Sequence, residues 1–193
     1  GLIGTYATIL TILWKCVTAT PVDANSRIKR PAKPLRHHIM KPSDQATPDA
    51  AAPLEESHAP ACVMSFNAND PSGASGIAGD IATISAMGAH ALPVITAIMM
   101  RDTAEVFDQQ ALEGEVIVEQ ARSILEDVTV AAWKVGFLGS AEAVSAVAEV
   151  LTDYPDVPLV SYLPNLTWLD EEQQQSYCEA FRELILPQTL ILV

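Results

Sequence analysis

The stretch "NDPSGASGIAGD", residues 69–80, follows a short apolar run, "ACVMSF" (61–66), and opens into a segment where Ile77, Ile81 and Ile84 recur at helical spacing. Asp70-Pro71-Ser72-Gly73 has turn chemistry, because proline fixes one dihedral and glycine opens conformations closed to other residues. Ser75 or Gly76 then starts a helix whose first N–H groups have no partner within it. A strand, a glycine-bearing turn and a helix start make one unit of a parallel sheet, with backbone donors facing whatever sits above the strand end. Asp80 is expected one turn into the helix, off the isoleucine stripe and able to reach back to the same mouth. A tight connection with a merely solvated Asp80 explains the spacing equally well. The glycines at 73, 76 and 79 do not form the G-x-G-x-x-G of a dinucleotide fold, and no P-loop sequence occurs.

Reading outward, the pattern repeats. "LPVITAIMM" (92–100), "VAAWKVGF" (130–137), "PLVSYL" (158–163) and "TLILV" (189–193) read as further strands. Between them lie helical stripes: Ile117, Ala121, Ile124 and Leu125; then Val144, Val147, Ala148 and Leu151 behind a Ser140 cap; then Tyr177, Phe181, Leu184 and Ile185 behind an Asp170 cap. Five strands alternating with four helices predict a three-layer α/β/α sandwich around a mostly parallel sheet. Ligands of such sheets sit beyond the carboxyl ends of the strands, which selects the loops 67–76, 99–111, 136–140 and 163–169.

Charge divides the chain. Residues 1–60 carry seven Lys and Arg against five Asp and Glu; residues 61–193 carry only Arg101, Arg122, Lys134 and Arg182 against 19 acids. So acidic a body repels nucleic-acid backbones and anionic membrane surfaces, and a small molecule is the expected partner. Residues 1–19 read as a short apolar segment outside any domain, and residues 20–60, with seven prolines in 21–60, as a disordered basic linker. The folded domain is expected over 61–193. Three scattered cysteines fit a reducing, cytoplasmic setting, and His37 and His38 have no third ligand nearby, so no metal site is expected.

"NDPSGASGIAGD", "LPVITAIMMRDT" and "WKVGFLGSAE", in this order and spacing, resemble the hydroxymethylpyrimidine/phosphomethylpyrimidine kinases of thiamine biosynthesis, in the ribokinase superfamily. The resemblance covers residues 61–193 and implies a ribokinase-like fold, present here in part. It also implies ATP and Mg²⁺ as cofactors and phosphorylation of the hydroxymethyl group of an aminopyrimidine, then of the resulting ester. By the same resemblance Gly73, Gly76 and Asp80 fall on the pyrimidine-binding loop and its acid. Arg101 stands where the family has a glutamine, Phe137 on a ring-packing apolar residue, and Lys134 with Gly136 on a K-x-G of the third strand. A homodimer is implied by family analogy.

Three departures qualify the expectation. Arg101 offers only donors and a charge, so it suits a phosphate or carboxylate, or else a salt bridge with Asp102 or Glu105. The fourth strand has Ser161 or Tyr162 where the family has an acid. The family's nucleotide site and catalytic residue belong to a second half not contained in residues 1–193, so this chain by itself is expected to be inactive. The alternatives are a non-catalytic, degenerate small-molecule binder and a truncated relic that barely folds.

Overall fold

The computed structural model describes residues 59–193; the expectations for 1–19 and nearly all of 20–60 lie outside the described residues. The six strands are β1 (Cys62–Asn69), β2 (His90–Arg101), β3 (Val106–Ala111), β4 (Ala132–Val135), β5 (Leu159–Ser161) and β6 (Ile191–Leu192). They form one sheet in the order β3-β2-β1-β4-β5-β6, parallel throughout except for the antiparallel β2–β3 pair. The helices are α1 (Gly76–Ala86), α2 (Gly114–Leu125), α3 (Ala141–Thr152) and α4 (Glu171–Ala180). A π-helical turn, Phe181–Ile185, and a 3₁₀ turn, Leu186–Gln188, extend α4.

Alternation along the strands sorts the two faces. Met64 and Phe66 of β1 and Trp133 and Val135 of β4 enter the large core beneath α2, α3 and α4. Val63 and Ala132 point the other way and meet Ile84 of α1. Trp133, Tyr177, Phe66 and Phe181 are the largest fully buried side chains, each contributing about 1.5–3 kcal/mol of burial. The caps hold as expected: Ser140 accepts from the Ala143 N–H, and Asp170 from the Gln173 N–H.

Three differences from the sequence pattern have identifiable causes. The segment 99–111 is not a loop. Its second half returns as β3, because Asp102 folds the chain back by accepting from the N–H groups of Ala104 and Glu105 at 2.7 and 2.9 Å. Ile124 and Leu184, placed on apolar stripes by their spacing, are exposed. Ile81 is exposed as well, and the inward face of α1 is Ile77, Asp80 and Ile84. Asp80 therefore takes an inward position, correcting the expectation that it lies off the stripe. The sheet provides partners there that a carboxylate can use.

The order of strands places the site. From β1 the chain crosses to β2 on one side; from β4 it crosses to β5 on the other. Connections diverge between β1 and β4, and a crevice opens there at the carboxyl ends.

Candidate functional site

A cleft of about 620 Å³ occupies that crevice. Its lining comes mostly from the four segments selected by the sequence, including Asn67, Gly76, Met99, Arg101, Phe137 and Trp168, with Lys134 of β4 and Tyr162 from outside them. Of the five residues proposed from the sequence, Gly76, Arg101 and Phe137 line it. Gly73 sits exposed on the turn above, its N–H bonded to the Asp70 carbonyl at 3.1 Å. Asp80 lies one layer below, behind Lys134, and does not reach the lining.

Asp70 organises the first wall. It is 4% exposed and accepts from the Ser72 N–H at 2.9 Å, the Ser72 hydroxyl at 2.7 Å, the Ser75 hydroxyl and Arg101 Nη1 at 3.2 Å. Ser75 stands at the helix N-cap, yet its hydroxyl turns to Asp70, so α1 begins without a side-chain cap. Arg101 comes within reach because β2 runs beyond the end of its pairing with β1, carrying Met99 to Arg101 over the crevice. Its Nε donates to the Asp102 carbonyl at 2.9 Å. The alternative of a salt bridge to Asp102 or Glu105 gives way to one with Asp70: the Asp102 carboxylate is occupied in its own turn.

Burial alone would raise the Asp70 pKa, but the hydrogen bonds from Ser75 and Ser72 and the charge of Arg101 outweigh it and hold the carboxyl below its usual value. A carboxylate with a depressed folded-state pKa stabilises above its unfolded value, about 3.9, and that stabilisation is lost as pH falls through the folded value. Asp70→Asn is therefore expected to cost about 1–3 kcal/mol at pH 7. Denaturant unfolding between pH 2 and 7 should show the gap closing below pH 4; a gap independent of pH would contradict this account.

The second wall is aromatic. Phe137 packs edge-on against Trp168, with ring centroids 5.1 Å apart, and tilted against Tyr177 at 5.3 Å. Its backbone is pinned on both sides: the N–H donates to Asn67 Oδ1 at 3.1 Å, and the carbonyl accepts from the Thr96 hydroxyl at 2.7 Å. Tyr177, whose hydroxyl accepts from the Leu138 N–H at 3.0 Å, closes the wall from behind; burial pushes that phenol's pKa up.

The floor is polar. Ser65 and Asn67 of β1 and Lys134 of β4 all face α1, and all three donate to Asp80 Oδ2, at 2.7, 2.8 and 2.7 Å. Gly136 is needed beside them, since a Cβ there would stand 2.5 Å from the Asn67 side chain. Asn67 and Trp168 were not singled out from the sequence. For Asn67 the signal was available: two polar residues at alternate positions of a buried strand, Ser65 and Asn67, mark a polar face. Trp168 gave none.

Among the described residues no three of His, Cys, Asp and Glu stand together as a metal-ligand set, and no helix is long and apolar enough to cross a membrane. The arrangement is a cleft with one aromatic wall, one wall built on the Asp70–Arg101 ion pair and a buried cation in its floor.

A mostly parallel sheet with helices on both faces and a cleft at its divergence point is the architecture of the ribokinase-like kinases. The chain belongs to the phosphomethylpyrimidine kinase family, which it matches over residues 70–193. The hydroxymethylpyrimidine/phosphomethylpyrimidine kinase of Streptomyces coelicolor is 38% identical over 100 residues, 51% of this chain and 37% of that protein. The crystal structure of phosphomethylpyrimidine kinase from Clostridium difficile 630 superposes with a TM-score of 0.62 at 29% identity, covering 68% of this chain and 58% of the other. Pyridoxal kinase from Staphylococcus aureus, solved in complex with ADP, shares the fold: TM-score 0.59, 23% identity, 69% of this chain and 48% of that one. The matched region thus spans about a third to three-fifths of these relatives.

Proposed function

We propose that this chain forms the pyrimidine-binding part of an ATP-dependent kinase acting on 4-amino-5-hydroxymethyl-2-methylpyrimidine, its monophosphate, or both, in thiamine biosynthesis. The observation that carries the reading is the cleft itself, where Gly76, Arg101 and Phe137 meet at the carboxyl ends of β1, β2 and β4. Family membership and the names of the relatives support the reaction. ATP as donor is supported by the ADP complex of a protein with the same fold.

In this reading the Phe137 and Trp168 wall packs against the flat ring, an apolar contact with a preferred geometry. Gly76 lets the first loop approach the ring closely, and Gly73 shapes the turn above it. Arg101 supplies charged donors to the rim and can exchange Asp70 for a phosphate ester. Asp80 acts on the ligand through Lys134. Mg²⁺ and the phosphoryl-transfer step belong to the whole kinase, and none of the residues described here is assigned to them.

Two measurements test the proposal. Thermal unfolding of this chain is expected to shift upward with millimolar hydroxymethylpyrimidine, because a ligand bound only by the folded state raises the midpoint. The full-length gene product is expected to phosphorylate hydroxymethylpyrimidine or its monophosphate with ATP and Mg²⁺. Binding without turnover would favour the non-catalytic binder instead, and neither binding nor turnover would sink both readings.

A further inference from the structure

Lys134 is 4% exposed, yet it lines the cleft. An ammonium has three N–H donors. One goes to Asp80 at 2.7 Å, and among the described residues Nζ has no other hydrogen-bond partner. Asp80 Oδ2 is engaged by three donors, so it fixes the ammonium without taking up its remaining hydrogens. A buried donor without an acceptor is costly, and natural structures keep few of them. Lys134 lines the cleft, so an acceptor there can take up donors that the described residues leave unused.

We infer that Lys134 is a ligand-recognition residue, donating to an uncharged acceptor atom of the bound heteroaromatic molecule, a ring nitrogen or a hydroxyl oxygen, with Asp80 as its positioning residue. The class of ligand rests on the pyrimidine reading above. The neutrality of the acceptor follows from the local charges. Asp80 already balances the ammonium, Asp70 balances Arg101, and Glu105 adds a further carboxylate to the lining. An anion driven down to this floor would meet more negative charge than positive. Burial lowers the Lys134 pKa against the opposing pull of Asp80, which fits a cation short of partners.

The test is calorimetric titration of this chain with hydroxymethylpyrimidine and with pyridoxal, a second neutral heteroaromatic. Wild type is compared with the K134M/D80N double variant, which removes both charges together and so leaves no unpaired ion. A ¹⁵N spectrum of the lysine ammonium groups supplies a readout that a purely structural lysine would not move. The expected result is at least a tenfold loss of affinity in the double variant, at an unfolding midpoint close to wild type, and a shift of the Lys134 Nζ signal on saturation. If pyridoxal binds in a Lys134-dependent way and hydroxymethylpyrimidine does not bind, the pyrimidine reading falls and Lys134 keeps its role. Affinities within twofold between wild type and the double variant, or an Nζ signal indifferent to saturating ligand, overturn the role of Lys134. Failure of wild type to bind either molecule overturns both.

Discussion

Replacing Lys134 alone by methionine is expected to destabilise the folded chain by about 3–5 kcal/mol, the range for breaking a buried ion pair on one side. Methionine fills nearly the same volume, so the loss is not one of packing. It comes from Asp80, which is 6% exposed and would be left with only Ser65 and Asn67 as partners. The companion change locates the cause. Asp80→Asn added to Lys134→Met removes the stranded charge and leaves an amide that still bonds to Ser65 and Asn67, so most of the lost stability should return. That return is the expectation because a buried pair, weighed against a neutral replacement of similar size, often contributes little net stability. Urea unfolding of the wild type, both single variants and the double variant gives the coupling energy directly. Additive losses would show that the two residues are independent, and the account of the floor would fail.

The same pair shows what the sequence discloses and what it hides. Strand–helix alternation was legible because burial on both faces leaves unbroken apolar runs, and because Ser140 and Asp170 mark helix starts by chemistry any chain must use. The crevice was legible for the same reason: once the sheet is parallel, its carboxyl edge is where loops converge. Asp80 was misplaced because hydropathy assigns carboxylates to the surface. A helix position with an isoleucine on one side and an aspartate on the other reads as isoleucine inward. Only partners 13, 15 and 54 residues away reverse that choice, and no local pattern contains them. Strand β3 was missed on similar grounds. Val106, Phe107, Asp108, Gln109 and Gln110 show no apolar alternation, and none is buried; the segment is a strand because Asp102 turns the chain and β2 offers an unpaired edge. Arg101 likewise finds Asp70 through the overhang of β2, a length that sequence periodicity leaves open.

Substituting alanine for Gly76 is expected to cost about 2–5 kcal/mol and to abolish detectable ligand binding in the cleft. Two separate penalties add. The residue has φ of 66°, in the left-handed region, where a side chain costs about 1–2 kcal/mol. A Cβ would also stand 2.5 Å from the Ala68 carbonyl oxygen, 2.8 Å from Asp70 Cβ and 2.9 Å from the Asp70 nitrogen. These atoms belong to the end of β1 and the turn after it, so they can withdraw only if that backbone moves, at a further cost of about 1–3 kcal/mol. Gly73→Ala is the control that separates the two. Its φ is 68°, nearly the same, but a Cβ there meets nothing within 4 Å, so it should show the conformational penalty alone. The excess loss in Gly76→Ala then measures the close approach of helix to strand. The functional consequence follows through Asp70. Displacing its backbone by a few tenths of an ångström loosens the contacts with Ser72, Ser75 and Arg101 together, and with them the wall that faces Phe137. Equal destabilisation by the two substitutions, with binding retained in both, would mean that Gly76 serves only its own dihedral and that the loop is not held against the strand end.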